Sequence, residues 1–283
     1  MHSIFKFIEA PTRAPSVMFS DINYIVRRGS LRINNKSLNV SLVLNNMIEK
    51  KYPVHPFSNG VTKDNAKKLM ASYLAMSEAF PYIQAASAST IIKNAIVMNK
   101  PIDSRMAKMF SVGAFLSFDE TGGNYLLRTK GMKSLHEILE VEENFHSKLL
   151  EKDMRRLFKE VVLPDYSSPT KQYLFSLQKS LSSTDLVVRS ASMVAFELHA
   201  GAMIDALWKT LSNLYEIDRS KLTYFNIHVG GNDPGEKYHQ ETTQEMIRQV
   251  VSTSKSMQFF NCFLKEYGKH INWCENIKKG SSK

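Results

Sequence analysis

From residue 62 onward apolar residues recur every three to four positions, the period of a helix with one buried stripe. The alternation expected of a half-buried strand is confined to Ser30-Leu31-Arg32-Ile33. Thr62-Lys63-Asp64-Asn65 opens a helical run that reaches Phe80, where Pro81 predicts a break or kink. Further runs cover 82–98, 103–121, 132–161, 169–183, 187–213 and 218–229, and a last one extends from 234 to 270. Gly122-Gly123, Ser167-Ser168-Pro169, Ser182-Ser183-Thr184-Asp185 and Gly230-Gly231 followed by Asp233-Pro234 punctuate them. The pattern predicts an all-α bundle of seven or more helices over 61–283. Residues 1–60 carry Pro11, Pro15, Pro53 and Pro56 and read as an irregular N-terminal extension with one short helical candidate near 39–50.

Composition narrows the functional classes. The 283 residues are 43% hydrophobic and 10% aromatic with only 12 Gly and 9 Pro, which excludes a disordered or loop-rich chain. Two cysteines, Cys262 and Cys274, cannot build a disulfide framework, so a reducing, cytoplasmic location is expected. No stretch reaches the roughly 18 apolar residues of a membrane span. The net charge of +10 is spread over Arg27-Arg28, Lys50-Lys51, Lys67-Lys68, Arg155-Arg156 and Lys278-Lys279. Scattered pairs of this kind read as a solvated basic surface, not as a nucleic-acid interface. HExxH, clustered CxxC, GxGxxG and P-loop motifs are absent.

The chemistry lies in polar residues placed on apolar faces. In the run containing Leu135, Ile138, Leu139, Phe145 and Leu149, Glu142 falls at the centre of the stripe and His146 one turn further, an i,i+4 pair. Glu143 sits at the stripe's edge. Glu197 lies amid Met193, Val194, Gly201, Ile204 and Trp208, whereas His199 projects to the opposite side and is discounted. His228 ends the apolar run Tyr224-Phe225-Asn226-Ile227. His239 shares a face with Thr242, Thr243, Met246 and Val250, with Glu236 one turn earlier. Asp233-Pro234-Gly235-Glu236 also fits a helix start with Asp233 as N-cap. Buried without partners, three carboxylates and three imidazoles would each cost several kcal/mol, and a cluster of cations would satisfy them together. Carboxylate and imidazole without thiolate suit iron or manganese.

Glu142 with His146, Glu197 some way on, His228, and then Glu236-Lys237-Tyr238-His239 follow an order that resembles the haem-oxygenase-like diiron oxidases and oxygenases. The resemblance covers roughly 62–270. It implies a haem-oxygenase-like helical bundle with metal ligands Glu142, His146, Glu197, His228, Glu236 and His239, Glu197 bridging. It implies two Fe(II) ions, or manganese with similar ligands, and O2 as co-substrate. The implied activity is oxidation or oxygenation of a small amino acid, amine or fatty acid through a peroxo-diiron species. Two departures bear on the ligand set. The family's usual spacing would put an acid at position 139, which is Leu here, so Glu142 or Glu143 must serve. Gly230 to Pro234 interrupts the last group, leaving Glu236 with Asp233 as fallback. Asp119-Glu120-Thr121-Gly122-Gly123 with His136 forms another acid-and-His group, ranked second to Glu142 and His146. A small-molecule substrate, an external electron donor and a homodimer are expected partners; nucleic acid and membrane are not. Tyr224, Tyr238, Phe196 and Trp208 are candidate pocket walls. The competing classes are a metal-free enzyme of the same fold, thiaminase-like or quinone-cofactor-synthesising, and a non-enzymatic helical interaction protein.

Overall fold

The structure, a computed structural model, describes residues 40–129, 131, 141–229, 242–243 and 245–280. Among these the chain is helical and has no strand. The helices are α1 (Val40–Lys51), α2 (Lys63–Met98), α3 (Ser104–Glu120), α4 (Gly123–Thr129), α5 (His146–Phe158), α6 (Ser168–Leu181), α7 (Leu186–Tyr215), α8 (Thr223–Val229) and α9 (Ser256–Gly280). Residues 245–250 are also helical, and short 3-10 turns occur at Pro56–Ser58, Val141–Asn144, Arg219–Lys221 and Thr253–Lys255. No described helix is long and apolar enough to cross a membrane.

Local chemistry sets the helix ends. The Thr62 N–H donates to Asn65 Oδ1 at 2.9 Å at the start of α2. Asp103 Oδ1 accepts from the Arg105 N–H at the start of α3, and Asp185 Oδ1 accepts from the Val187 and Val188 N–H groups at the start of α7. Each side chain answers backbone donors that the first helical turn leaves open. The break expected at Pro81 does not occur: α2 runs through it for 36 residues. Proline removes only its own N–H from the ladder, and packing of Phe80 and Pro81 in the core holds the helix on both sides. The last run is divided instead at 251–255, where the chain tightens into a 3-10 turn closed by the Lys255 N–H donating to the Ser252 carbonyl at 2.9 Å.

Helix α7 is the central element. From 186 to 201 it has no exposed residue, because α9, α6, α8 and the Pro56–Ser58 turn enclose it. Its most extensive partner is α9, while α2 packs on α3, α6 and α5. Phe80 of α2 stacks on Phe196 of α7 with ring centroids 3.8 Å apart, and Tyr173 of α6 stacks on Trp273 of α9 at 4.5 Å. Residues 1–39 of the expected N-terminal extension lie outside the described residues. Residues 40–60 are integral to the bundle: Leu44 and Phe57 are buried, the Phe57 carbonyl accepts from Thr210 of α7, and the Pro56 carbonyl accepts from Lys278 of α9.

A cross-helix cap orients α8. Asp153 of α5 is fully buried and accepts from the Thr223 N–H at 2.8 Å and the Tyr224 N–H at 2.7 Å. A carboxylate on a neighbouring helix thus does the work of an N-cap and ties α8 to α5. Burial raises the Asp153 carboxyl to about 6, against the opposing pull of those N–H groups and of Arg156. Since the folded-state value is raised above the ordinary one, the folded chain binds this proton more tightly. Its contribution to stability therefore falls as pH rises from about 4 to about 6, by an amount on the order of 2 kcal/mol. Asp153→Asn should flatten that part of the stability curve measured by denaturant titration, and Asp153→Ala should cost about 3 kcal/mol by orphaning two buried donors.

Candidate metal centre

The end of α3, the start of α5 and the last turn of α8 converge on one point. Glu120, His146 and His228 each place a ligand atom there, all within 4.8 Å of one another. Glu120 Oε2 lies 3.2 Å from His146 Nδ1, with the two side chains only 16% and 6% exposed. The His146 and His228 rings meet edge to face at 4.6 Å. His228 Nδ1 is 2.8 Å from the Tyr224 carbonyl one turn earlier, so Nδ1–H donates and Nε2 keeps its lone pair. Burial pushes His228 down to about 4, reinforced by His146 and opposed by Glu120. Burial alone would raise the Glu120 carboxyl, but His146 and then His228 outweigh it and hold the acid below its ordinary value. A carboxylate beside two imidazoles is a donor set that ferrous iron or manganese accepts, and it leaves further positions open. The three residues therefore fit one divalent cation.

Of the six expected ligands, the structure brings together His146 and His228. Glu142 is not with them. It lies in the 3-10 turn Val141–Asn144 and is exposed, as is Glu143, which pairs with Lys152 at 3.0 Å. The reason is local. The i,i+4 pairing of Glu142 with His146 requires one continuous helix, but Phe145 has φ −57° and ψ 138°, and α5 begins only at His146. Glu120, from the group ranked second, occupies the place assigned to Glu142. Its partner there, His136, lies outside the described residues, as do Glu236, His239, Asp233 and Tyr238. Glu197 is half-buried on α7 and is not one of the three converging residues. The sequence held a signal for Glu120: Met109, Gly113, Leu116 and Glu120 form one helical face, and the first three are buried. Of the wall candidates, Tyr224 packs on His228 at 4.3 Å, whereas Phe196 stacks on Phe80 and Trp208 lies under Arg219.

His199, discounted from its helical projection, is buried, because α7 has no solvent side there to receive it. It meets His55 and Cys274 in a second close group. That group satisfies itself. The Phe57 N–H donates to His55 Nδ1 at 3.2 Å, so neutral His55 carries its proton on Nε2 and donates it to His199 Nε2, also 3.2 Å away. Burial drives Cys274 well up, against the thiolate a cation would need. The lone pairs of Glu120, His146 and His228 are better arranged for a cation.

Neither a family model nor a curated protein matches the chain. Among solved structures it is similar to a CADD-like protein of unknown function from Nostoc punctiforme. The crystal structure of that protein at 2.00 Å resolution gives a TM-score of 0.62 with 12% identity, over 86% of this chain and 96% of that one. The one at 1.35 Å gives 0.54 with 11% identity, over 93% and 96%. Likeness at this identity establishes the fold, an all-α bundle.

Gly122 holds the centre's two sides together. Its φ is +76°, and a Cβ there would meet the Asn144 carbonyl at 2.9 Å, so glycine lets the chain entering α5 lie against the end of α3. Gly122→Ala should lower stability by about 1 kcal/mol or more and separate His146 from Glu120. Thermal denaturation and loss of metal retention in the folded variant check both effects.

Proposed function

We propose that the chain is a metal-dependent oxidoreductase that uses O2 on a small organic substrate, with iron held by Glu120, His146 and His228. The convergence of one acid and two imidazoles from three separate helix ends carries this reading. The resemblance of the sequence to haem-oxygenase-like diiron oxidases and oxygenases supports it. The resemblance would add a second iron, with Glu197, Glu236 and His239 as the residues that would hold it. Bound iron would supply the O2 activation that no side chain provides.

The chain's own contributions follow from the geometry. Glu120 supplies negative charge that offsets the cation. The Tyr224 carbonyl fixes the tautomer of His228 and aims Nε2 at the centre. The Tyr73 and Tyr224 hydroxyls, 2.7 Å apart and buried, close the side next to His228 against water. Burial, and then Tyr224, raise Tyr73 well above the ordinary phenol, so it stays protonated and able to donate. A mononuclear centre is the second reading, favoured by the ligand atoms of Glu120, His146 and His228 lying within 4.8 Å of one another, room for one cation among the described residues.

Metal content decides among these. Protein produced with iron and purified anaerobically without chelator should retain about two irons per chain for the dinuclear form and about one for the mononuclear form. Glu120→Ala and His228→Ala should lose metal while folding, and Glu142→Ala should keep it. Iron-loaded protein should consume O2 faster with substrate present. Folded wild-type protein that retains no metal would overturn the reading in favour of a metal-free enzyme.

A further inference from the structure

Helices α2 and α3 form a hairpin whose end stands clear of the helices around it. Ile91 is the last buried residue of α2 and Met109 the first of α3. From 92 to 108 no residue is buried, and only Ala95 and Met106 are partly so. A stretch exposed all round is ordinarily polar. This one carries Ile92, Ile96, Val97, Met98 and Ile102, with Ile96 70% and Val97 79% exposed. Successive helical residues are turned by about 100°, so Ile96, Val97 and Met98 point in three directions and Ile92 lies one turn below Ile96.

The charge at this end is one-sided. Between residues 79 and 118 the only acid is Asp103, against Lys93, Lys100, Arg105 and Lys108. Asp103 is already engaged, since it accepts from the Arg105 N–H at the start of α3 and pairs with the Arg105 guanidinium at 2.9 Å. Among the described residues no carboxylate pairs with Lys93, Lys100 or Lys108. The turn between the helices also answers its own backbone. Asn99, at φ 48°, and Lys100 donate their N–H groups to the Ile96 and Ala95 carbonyls at 3.1 and 3.0 Å, and Pro101 has no N–H to satisfy. Such a tip can leave water without orphaning the groups that close it.

We propose that the end of the α2–α3 hairpin docks on a membrane surface containing anionic phospholipid. Ile96, Val97 and Met98 enter the boundary between headgroups and acyl chains, while Lys93, Lys100 and Lys108 meet the phosphates. The all-round exposure favours lipid over protein. One face of a protein partner covers one side of such a tip, whereas a lipid boundary surrounds it. A second copy presenting the same end would set its own unpaired lysines against these. The expectation of no membrane partner rests on the lack of a spanning run. Surface docking needs none, because the patch is assembled from two helix ends and the turn between them. It is independent of the oxidoreductase reading.

Flotation of the full chain with vesicles tests this, comparing phosphatidylcholine alone with equal parts of phosphatidylcholine and phosphatidylglycerol. The anionic vesicles should be bound about tenfold or more tightly. Ile96→Ser combined with Val97→Ser keeps every charge and should lower that binding about tenfold. Lys93→Glu with Lys100→Glu should do at least as much. Lys171→Glu with Lys179→Glu, an equal change of charge at exposed positions of α6, should leave most of it. All these positions are exposed, so melting temperatures should stay near that of the wild type. Trp208 and Trp273 are buried, so in Val97→Trp a blue shift of emission on adding anionic vesicles reports entry of the tip. Absence of binding to anionic vesicles, equal loss from both lysine pairs, unchanged binding by the serine variant or a constant emission would overturn the proposal. A dimer that the serine variant dissolves, in a chain that ignores vesicles, would overturn it in favour of a second copy.

Discussion

The enclosure of α7 from 186 to 201 is the constraint from which the rest of the architecture follows. A helical stretch without an exposed residue must have each of its buried polar groups answered by a neighbouring element, by a ligand, or by another polar group in the interior. Arg189 is answered in part by carbonyls from α2 and from the turn after α6. His199 is answered by His55, which the Pro56–Ser58 turn carries in from the segment before α2. Ser190 is answered by its own helix, donating to the Leu186 carbonyl. The positions of the surrounding elements and the polar composition of α7 are therefore two descriptions of one packing solution.

The candidate metal centre is built differently. It stands where three helices begin or end, and helix ends are where backbone direction changes and side chains from distant segments can meet. Each end has its own device. Gly122 lets the chain leave α3 closely enough to touch the segment entering α5. Phe145 stops helical geometry one residue before His146. Asp153 ties the first turn of α8 to α5, which places His228 one turn later beside His146. None of these devices contacts the converging ligand atoms, yet each sets where one of them lies.

Much of the fold was legible in the amino-acid sequence because helical periodicity and capping are local properties. The Thr62 start, the Asp185 start of α7 and the lack of strand alternation after residue 62 depend on neighbours within a few positions. His146 and His228 were recognisable as inward-facing for the same reason. The choice of Glu120 over Glu142 depended on whether the chain remained helical through Phe145, and that was settled by the approach of Asn144 to Gly122, a contact between segments. Continuation of α2 through Pro81 and the burial of His199 were likewise decided by packing. The sequence by itself determined which segments are helices and which imidazoles point inward. Only the tertiary structure decided which acid meets them, because a helix break of one residue turns a side chain from the core to the solvent.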